Sequence, residues 1–327
     1  MSCNNSIYKF ISKTQTYPAF ERSKFDEMID LIHSTNGREI CHNGWKLPSA
    51  EPAKDDCGQW KFKGCLNVNA HKNSEFKGKI FLKTFQKCCF RACCEKCVKK
   101  WAGREANKAT TRIEKYAKLS KKPAKHIIVS VPTWQYNLDH KSMKKEAYRI
   151  LKKVGSIGGA MIFHPFRFNV LERFWYYSPH FHIIGFGWID RTDEFYNKEG
   201  WIVKNKGLRN TVFGTFLYQL SHCGIKERTH SLVWFGDLSY SKLKMEKEPE
   251  TNICPICSAK LRPLYYCGLL GAPPPECECE IFVDPEGWHI LENKPKITSR
   301  NQKSFVKRYD ERINFELYSA NKGVCFN

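Results

Sequence analysis

Residues 179–188 read Pro-His-Phe-His-Ile-Ile-Gly-Phe-Gly-Trp, and their alternation decides how the middle of the chain folds. Along a strand, side chains at i and i+2 share a face. His180 and His182 therefore stand side by side, while Phe181 and Ile183 point the other way into a core. The strand expected at 181–188 has companions at 126–131 (His-Ile-Ile-Val-Ser-Val, closed by Pro132), 160–168, 174–177 and 231–235. Helices are expected at 141–154, ahead of the glycines of 155–159, and at 208–222, stopped by Gly224. A basic helix at 98–119, built of good helix formers and ended by Pro123, precedes them. Strands and helices joined by hairpin-length links point to an α+β fold, an antiparallel sheet with flanking helices.

Composition limits what such a domain can do. Of 327 residues, 42% are hydrophobic and 14% aromatic, enough for a buried core. The net charge is +21, and the excess is clustered. Residues 83–125 hold 14 Lys and Arg against three Glu, and 294–308 hold six with no acid. A polyanion is the expected partner, with nucleic acid the commonest. No stretch approaches the ~20 apolar residues of a membrane-spanning helix, and the first residues lack the build of a signal peptide. The expectation is a cytoplasmic protein without a membrane partner. In a reducing compartment, sixteen cysteines are read as metal ligands rather than disulfides.

His180 and His182 make a partial site for a divalent cation, lacking a third ligand. In the helix at 208–222, Val212, Phe213, Phe216, Leu217 and Leu220 form an apolar stripe. Beside it lie Thr211, Gly214, Thr215, Tyr218 and His222, whose small members leave room around the tyrosine. Tyr218 and His222, at i and i+4, are surface neighbours.

Taken in order, His164-Pro165-Phe166-Arg167, Pro179-His180-Phe181-His182 and Tyr218 followed by His222 resemble the HUH endonuclease superfamily. In that family two histidines flank one bulky apolar residue, and a downstream helix carries a nucleophilic tyrosine. The likeness covers roughly 126–240 and is greatest to the initiators of small archaeal rolling-circle plasmids and viruses. It implies an RRM-like nuclease core and a catalytic Tyr218. The implied cation is Mg²⁺ or Mn²⁺ on His180, His182 and a third ligand. His222 matches the polar ligand that single-tyrosine transposases place four residues after the tyrosine; Glu172 matches the viral position some eight residues before the histidine pair. The implied reaction nicks and rejoins single-stranded DNA through a 5′-phosphotyrosine, freeing a 3′-OH that primes rolling-circle replication. His164 and Arg167 are candidate DNA contacts, and Tyr240 reads as structural. No G-x-x-x-x-G-K-[ST] is present, so a host helicase and polymerase are implied partners beside single-stranded and origin hairpin or duplex DNA.

Two cysteine groups suggest one or two structural Zn²⁺ ions. Cys254-Pro-Ile-Cys257 and Cys277-Glu-Cys279, 19 residues apart, resemble a zinc ribbon, with Cys267 a possible substitute. Cys57 and Cys65 are grouped with the C-x-x-C of Cys94 and Cys97, and a cysteine-rich element before the nuclease domain also occurs in archaeal initiators. The expected organisation is an N-terminal segment (1–40), a zinc module with the basic helix (41–122), the nuclease domain (123–245), a ribbon-like module (246–290) and a basic tail (291–327). Competing functions are a single-tyrosine transposase or relaxase, which share the chemistry, and a non-catalytic zinc-dependent DNA-binding regulator.

Overall fold

The computed structural model describes residues 19–190, 192–208, 211–246, 252–268 and 274–291; the basic tail and the start of the N-terminal segment lie outside them. Among the described residues are, in chain order, α1 (Ala19–His33), β1 (Trp60–Cys65), β2 (Ile80–Gln86), α2 (Val98–Ser120), β3 (Lys125–Ser130), α3 (His140–Lys153), β4 (Ser156–Asn169), β5 (Phe174–Gly187), α4 (Thr192–Glu199), β6 (Ile202–Asn205), α5 (Val212–Ser221), β7 (Leu232–Gly236), β8 (Arg262–Tyr266), β9 (Cys279–Val283) and β10 (Trp288–Ile290). The architecture is mixed α+β with two antiparallel five-stranded sheets. The described residues form two compact units: one from 58–87 and the described residues after 251, the other from 19–57 and the described residues of 88–246.

In the larger unit the sheet order is β6-β3-β5-β4-β7. The alternation of β3, β4 and β5 sends Ile127, Val129, Met161, Phe163, Phe181 and Ile183 to one face, where they pack with Met143, Ala147, Ile150 and Leu151 of α3. Ala160, Ile162, Ile184 and Phe186 point the other way, onto α2 and α5. The centre of the sheet is therefore buried on both faces, and the histidine pair sits on the α2–α5 side. Asp139 starts α3 by accepting the N–H groups of Lys141 and Ser142 at 2.7 and 3.0 Å. Gly155 ends it in a left-handed conformation (φ +92°) where a Cβ would lie 2.0 Å from the Trp188 carbonyl oxygen.

Three details differ from the sequence reading. β5 is one continuous strand, not two. Its ladder with β4 steps from His164–His180 to Phe166–Tyr177, so Pro179 falls at an irregularity that tolerates a missing N–H. α5 begins at Val212 because the Thr211 side chain caps it, accepting from Gly214 N–H at 2.8 Å. The short α4 and β6 were not foreseen; β6 adds an edge to β3.

In the smaller unit the order is β10-β8-β1-β2-β9. Residues 41–122 and 246–290 are thus not two separate modules. The β1–β2 hairpin forms the centre of a sheet that β8 and β9 flank, around Ile80, Leu82, Leu264, Tyr266, Ile281 and Trp288. The basic helix α2 belongs to the larger unit, whose core takes its Trp101, Ala102, Ala106 and Ile113. Among the described residues, no helix is long and apolar enough to cross a membrane.

Candidate metal centres and the histidine–tyrosine site

Three groups of side chains bring metal-ligating atoms together, each with all its atoms within 4.8 Å of one another. The first is on the larger sheet. His180 and His182 project from β5 as the alternation requires, and His164 stands opposite His180 on β4. Paired residues on neighbouring strands share a face, so three imidazoles converge. All three are buried, His164 completely (0% exposed). Ring centroids lie 4.3 Å apart for His164–His182, 5.0 Å for His180–His182 and 5.3 Å for His164–His180.

The hydrogen bonds around them leave this triangle short of a partner. His180 Nδ1 lies 2.8 Å from the Ser178 carbonyl, which holds the ring as a donor on that side and turns Nε2 outward. His182 Nδ1 lies 2.7 Å from Nε2 of the buried His126 on β3. Both patterns are those of metal-bound histidines, whose second nitrogen is held by an outer group. Neither nitrogen of His164 has a hydrogen-bond partner, an omission that costs about 1–3 kcal/mol per buried group. Burial first, and then the neighbouring histidines, hold the pKa of His164 and His182 well below the usual imidazole value. Burial and the Arg167 charge bring His180 to about 3. The rings are therefore neutral and offer lone pairs. A divalent cation fits this donor set.

The third nitrogen in the triangle thus comes from His164, not from His222 or Glu172, and His164 is no surface DNA contact. Glu172 is exposed at the β4–β5 turn and accepts from Asn169 at 2.8 Å. A hairpin turn eight residues from the pair is too far along the strand to share its site. His222 ends α5 and stands one ring further out: its centroid is 4.6 Å from His164 and 6.5 Å from His182. The following turn is pinned to β4, since Gly224 N–H donates to the Phe163 carbonyl at 2.7 Å. A Cβ at Gly224 would lie 2.6 Å from Pro165. Tyr218, half-buried, is 4.9 Å from His222 by ring centroids. His222 therefore lies between the tyrosine and the triangle. The small residues expected to open space around Tyr218 do not, because Gly214 and Thr215 are buried. Arg167 reaches the histidine face and donates to Ser130 Oγ at 2.8 Å.

The two cysteine groups exchange members relative to the sequence reading. In the smaller unit, Cys65, His71, Cys254 and Cys257 come together. Cys65 and Cys257 sulfurs are 3.5 Å apart and Cys254 Sγ lies 3.3 Å from His71 Nε2. His71 is held through Nδ1 by the Lys79 carbonyl at 2.9 Å. Burial works against ionisation of Cys257, but the Ala259 N–H, His71 and the adjacent thiols bring it to about 7; burial pushes Cys65 up to about 12. Cys277 and Cys279 are not in this group. The Thr84 hydroxyl donates to the Cys277 carbonyl and accepts from Cys279 N–H at 3.0 Å, as β9 requires when it pairs with β2. Cys267 N–H donates to Gly287 at 2.8 Å in the same sheet.

In the larger unit, Cys57, Cys89, Cys94 and Cys97 come together, with Cys89 in the place expected for Cys65. Cys65 ends β1, and the sheet carries it to the Cys254–Cys257 turn instead. Cys97 caps α2, and burial pushes its thiol well above the usual range. Burial opposes ionisation of Cys89, yet the Arg91 backbone and side chain and the nearby thiols bring it to about 6. Both four-member groups could hold a metal. His126, His71 and Cys89 were not singled out by the sequence. Only a register for β3 would have pointed to His126, opposite the strand of the pair. No protein-family model, curated protein or solved structure matches this chain.

Proposed function

We propose that the larger unit is an HUH-type nuclease core that nicks and rejoins single-stranded DNA through Tyr218, as an initiator of rolling-circle replication. The observation that carries this is the triangle of His164, His180 and His182, with an unpartnered buried His164 and Tyr218 one imidazole away. These three residues would hold the cation, and three neutral imidazoles with no carboxylate suit Mn²⁺ better than Mg²⁺. Bound there, the cation would neutralise charge on a scissile phosphate and polarise it.

The chain's own residues supply the rest. Tyr218 Oη attacks the phosphorus, the P–O3′ bond breaks, and a 5′-phosphotyrosine and a free 3′-OH result. A phenol is a weak acid, so its proton needs an acceptor, and His222 is the neighbouring base. Arg167 supplies a fixed positive charge on the same face. Attack of a 3′-OH on the phosphotyrosine reverses the step and joins strands. A transposase or relaxase would use the same residues; the rolling-circle assignment rests on the motif resemblance.

The two four-member groups hold structural Zn²⁺ in this reading. Closed sets of four Cys and His ligands are the usual structural zinc sites. The test is cleavage of a labelled single-stranded oligonucleotide with Mn²⁺. Wild type should cleave, while Tyr218→Phe and His164→Ala should not, with folding verified by circular dichroism. Duplex binding without any cleavage by the wild type would favour the regulator.

A further inference from the structure

Beyond the histidines, β4 and β5 continue as a hairpin whose two faces differ. One face is fastened down. Trp175 is buried, its backbone N–H donates to Asn36 Oδ1 at 2.7 Å, and its carbonyl accepts from Asn36 Nδ2 at 3.1 Å. Its indole donates to Thr35 Oγ1 at 3.1 Å. Phe166 packs on this side as well. The irregularity at Pro165 and Pro179 resets the alternation, so Arg167, not Phe166, lies on the face of the histidines.

The pairs Arg167–Tyr176 and Asn169–Phe174 then place Arg167, Phe174 and Tyr176 on that one face. Phe174 is 37% exposed and Tyr176 41%, with ring centroids 6.0 Å apart. Val170 and Leu171 at the tip are 76% and 94% exposed. Exposed apolar side chains gathered on one face mark interaction sites.

We propose that this hairpin face is a platform for single-stranded DNA, on which bases stack against Phe174 and Tyr176 while Arg167 meets a phosphate beside the histidine triangle. Stacking on exposed rings requires bases that are not paired, which selects a single strand over a duplex. The chain's large positive charge and the continuity of the hairpin with the histidine face favour this partner over a protein one. The platform would lead the strand toward Tyr218, and so rests on the proposed nuclease reading.

The test is fluorescence anisotropy of a labelled 20-nucleotide thymidine oligomer with the zinc-loaded full chain and no added Mn²⁺ or Mg²⁺, where no cleavage competes. Phe174→Ser with Tyr176→Ser should weaken binding about tenfold or more, since each lost stack matters at that scale. Tyr176→Phe should bind as wild type, and Arg167→Gln should lower the salt slope by about one. Both serine substitutions are at exposed positions, so melting should be unchanged. Unaltered binding by the serine variant would overturn the proposal, as would a change in its oligomeric state by sedimentation, which would mark the hairpin as a protein interface. If the hairpin variants lose binding but Tyr218→Phe still cleaves, the nuclease reading fails alone. If Tyr218 forms an adduct and the hairpin variants bind normally, the platform fails alone.

Discussion

The Cys65–His71–Cys254–Cys257 group and the His164–His180–His182 triangle both gather metal-ligating atoms beside antiparallel sheets, but they are built to opposite ends. The first is closed: four donors, three of them buried, face one another. The second has three donors, an outer ring at His222, and a tyrosine beyond it. Structural metal sites fill their coordination with protein, whereas catalytic ones keep a position open. On the proposed reading, the difference separates a metal that would hold the chain together from one that would act on a substrate.

The largest effect expected from breaking this comparison is at the closed set. Cys65 and Cys254 come from segments 189 residues apart in the chain, so a cation joining them would supply much of the smaller unit's stability. Structural zinc contributes on the order of 10 kcal/mol or more in small domains. Cys254→Ser, or a strong chelator, should abolish cooperative unfolding of the smaller unit, read by near-UV circular dichroism of Trp288. Removal of the metal from the histidine triangle should leave the melting of the larger unit nearly unchanged. If both sites behave alike, the distinction fails.

A second, intermediate effect concerns Arg112. Its guanidinium is buried and donates to the carbonyls of Leu238, Ser239 and Leu243 at 2.8, 3.0 and 2.6 Å, tying α2 to the turn after β7. Arg112→Ala removes these three hydrogen bonds from a buried turn, although the Ser239 carbonyl keeps those from the Lys242 and Leu243 N–H groups, and should cost about 3 kcal/mol of stability, measured by urea unfolding of the metal-loaded protein. An unchanged midpoint would show that the open site's scaffold does not depend on this tie.

His126 sharpens the open site itself. It touches His182 and is not one of the three ligands. His126→Ala should weaken Mn²⁺ binding about 10- to 100-fold, read by electron paramagnetic resonance titration, with His126→Gln recovering part of the loss. Equal affinity in wild type and alanine variant would remove His126 from the site.

The smallest effect is in pH. His140 packs against Trp45, Phe163 and Phe181, and burial first, then the Lys144 charge, lowers it to about 4. Its folded pKa lies below the unfolded value near 6.5, so the unfolded chain binds the proton first. The stability it contributes is complete above pH 6.5 and is lost as pH falls toward 4. His140→Gln should flatten this part of the stability profile; a wild-type profile that is level from pH 7 to 4 would contradict the assignment.

How much was legible in the sequence follows from the range of the interactions. The pair His180 and His182, the Tyr218 helix and the helices α2 and α3 are set by local periodicity, and the α+β class with them. The third histidine needs the register of β4 against β5, and nothing short of pairing brings His164 to the pair. The cysteine groups fail for the same reason: spacing assigns Cys94 with Cys97 and Cys254 with Cys257, which are neighbours on tight turns. It cannot say that β1 delivers Cys65 to the second turn while Cys89 completes the first. Glu172 fits a spacing rule, but its strand ends in a hairpin that carries it away.

The most direct test of the open site is covalent. Incubated with circular single-stranded DNA and Mn²⁺, the protein should yield a peptide carrying a nucleotide phosphate on Tyr218, found by mass spectrometry. His164→Ala should yield none. An adduct on any other residue, or none from a wild-type protein that binds Mn²⁺, would contradict the account.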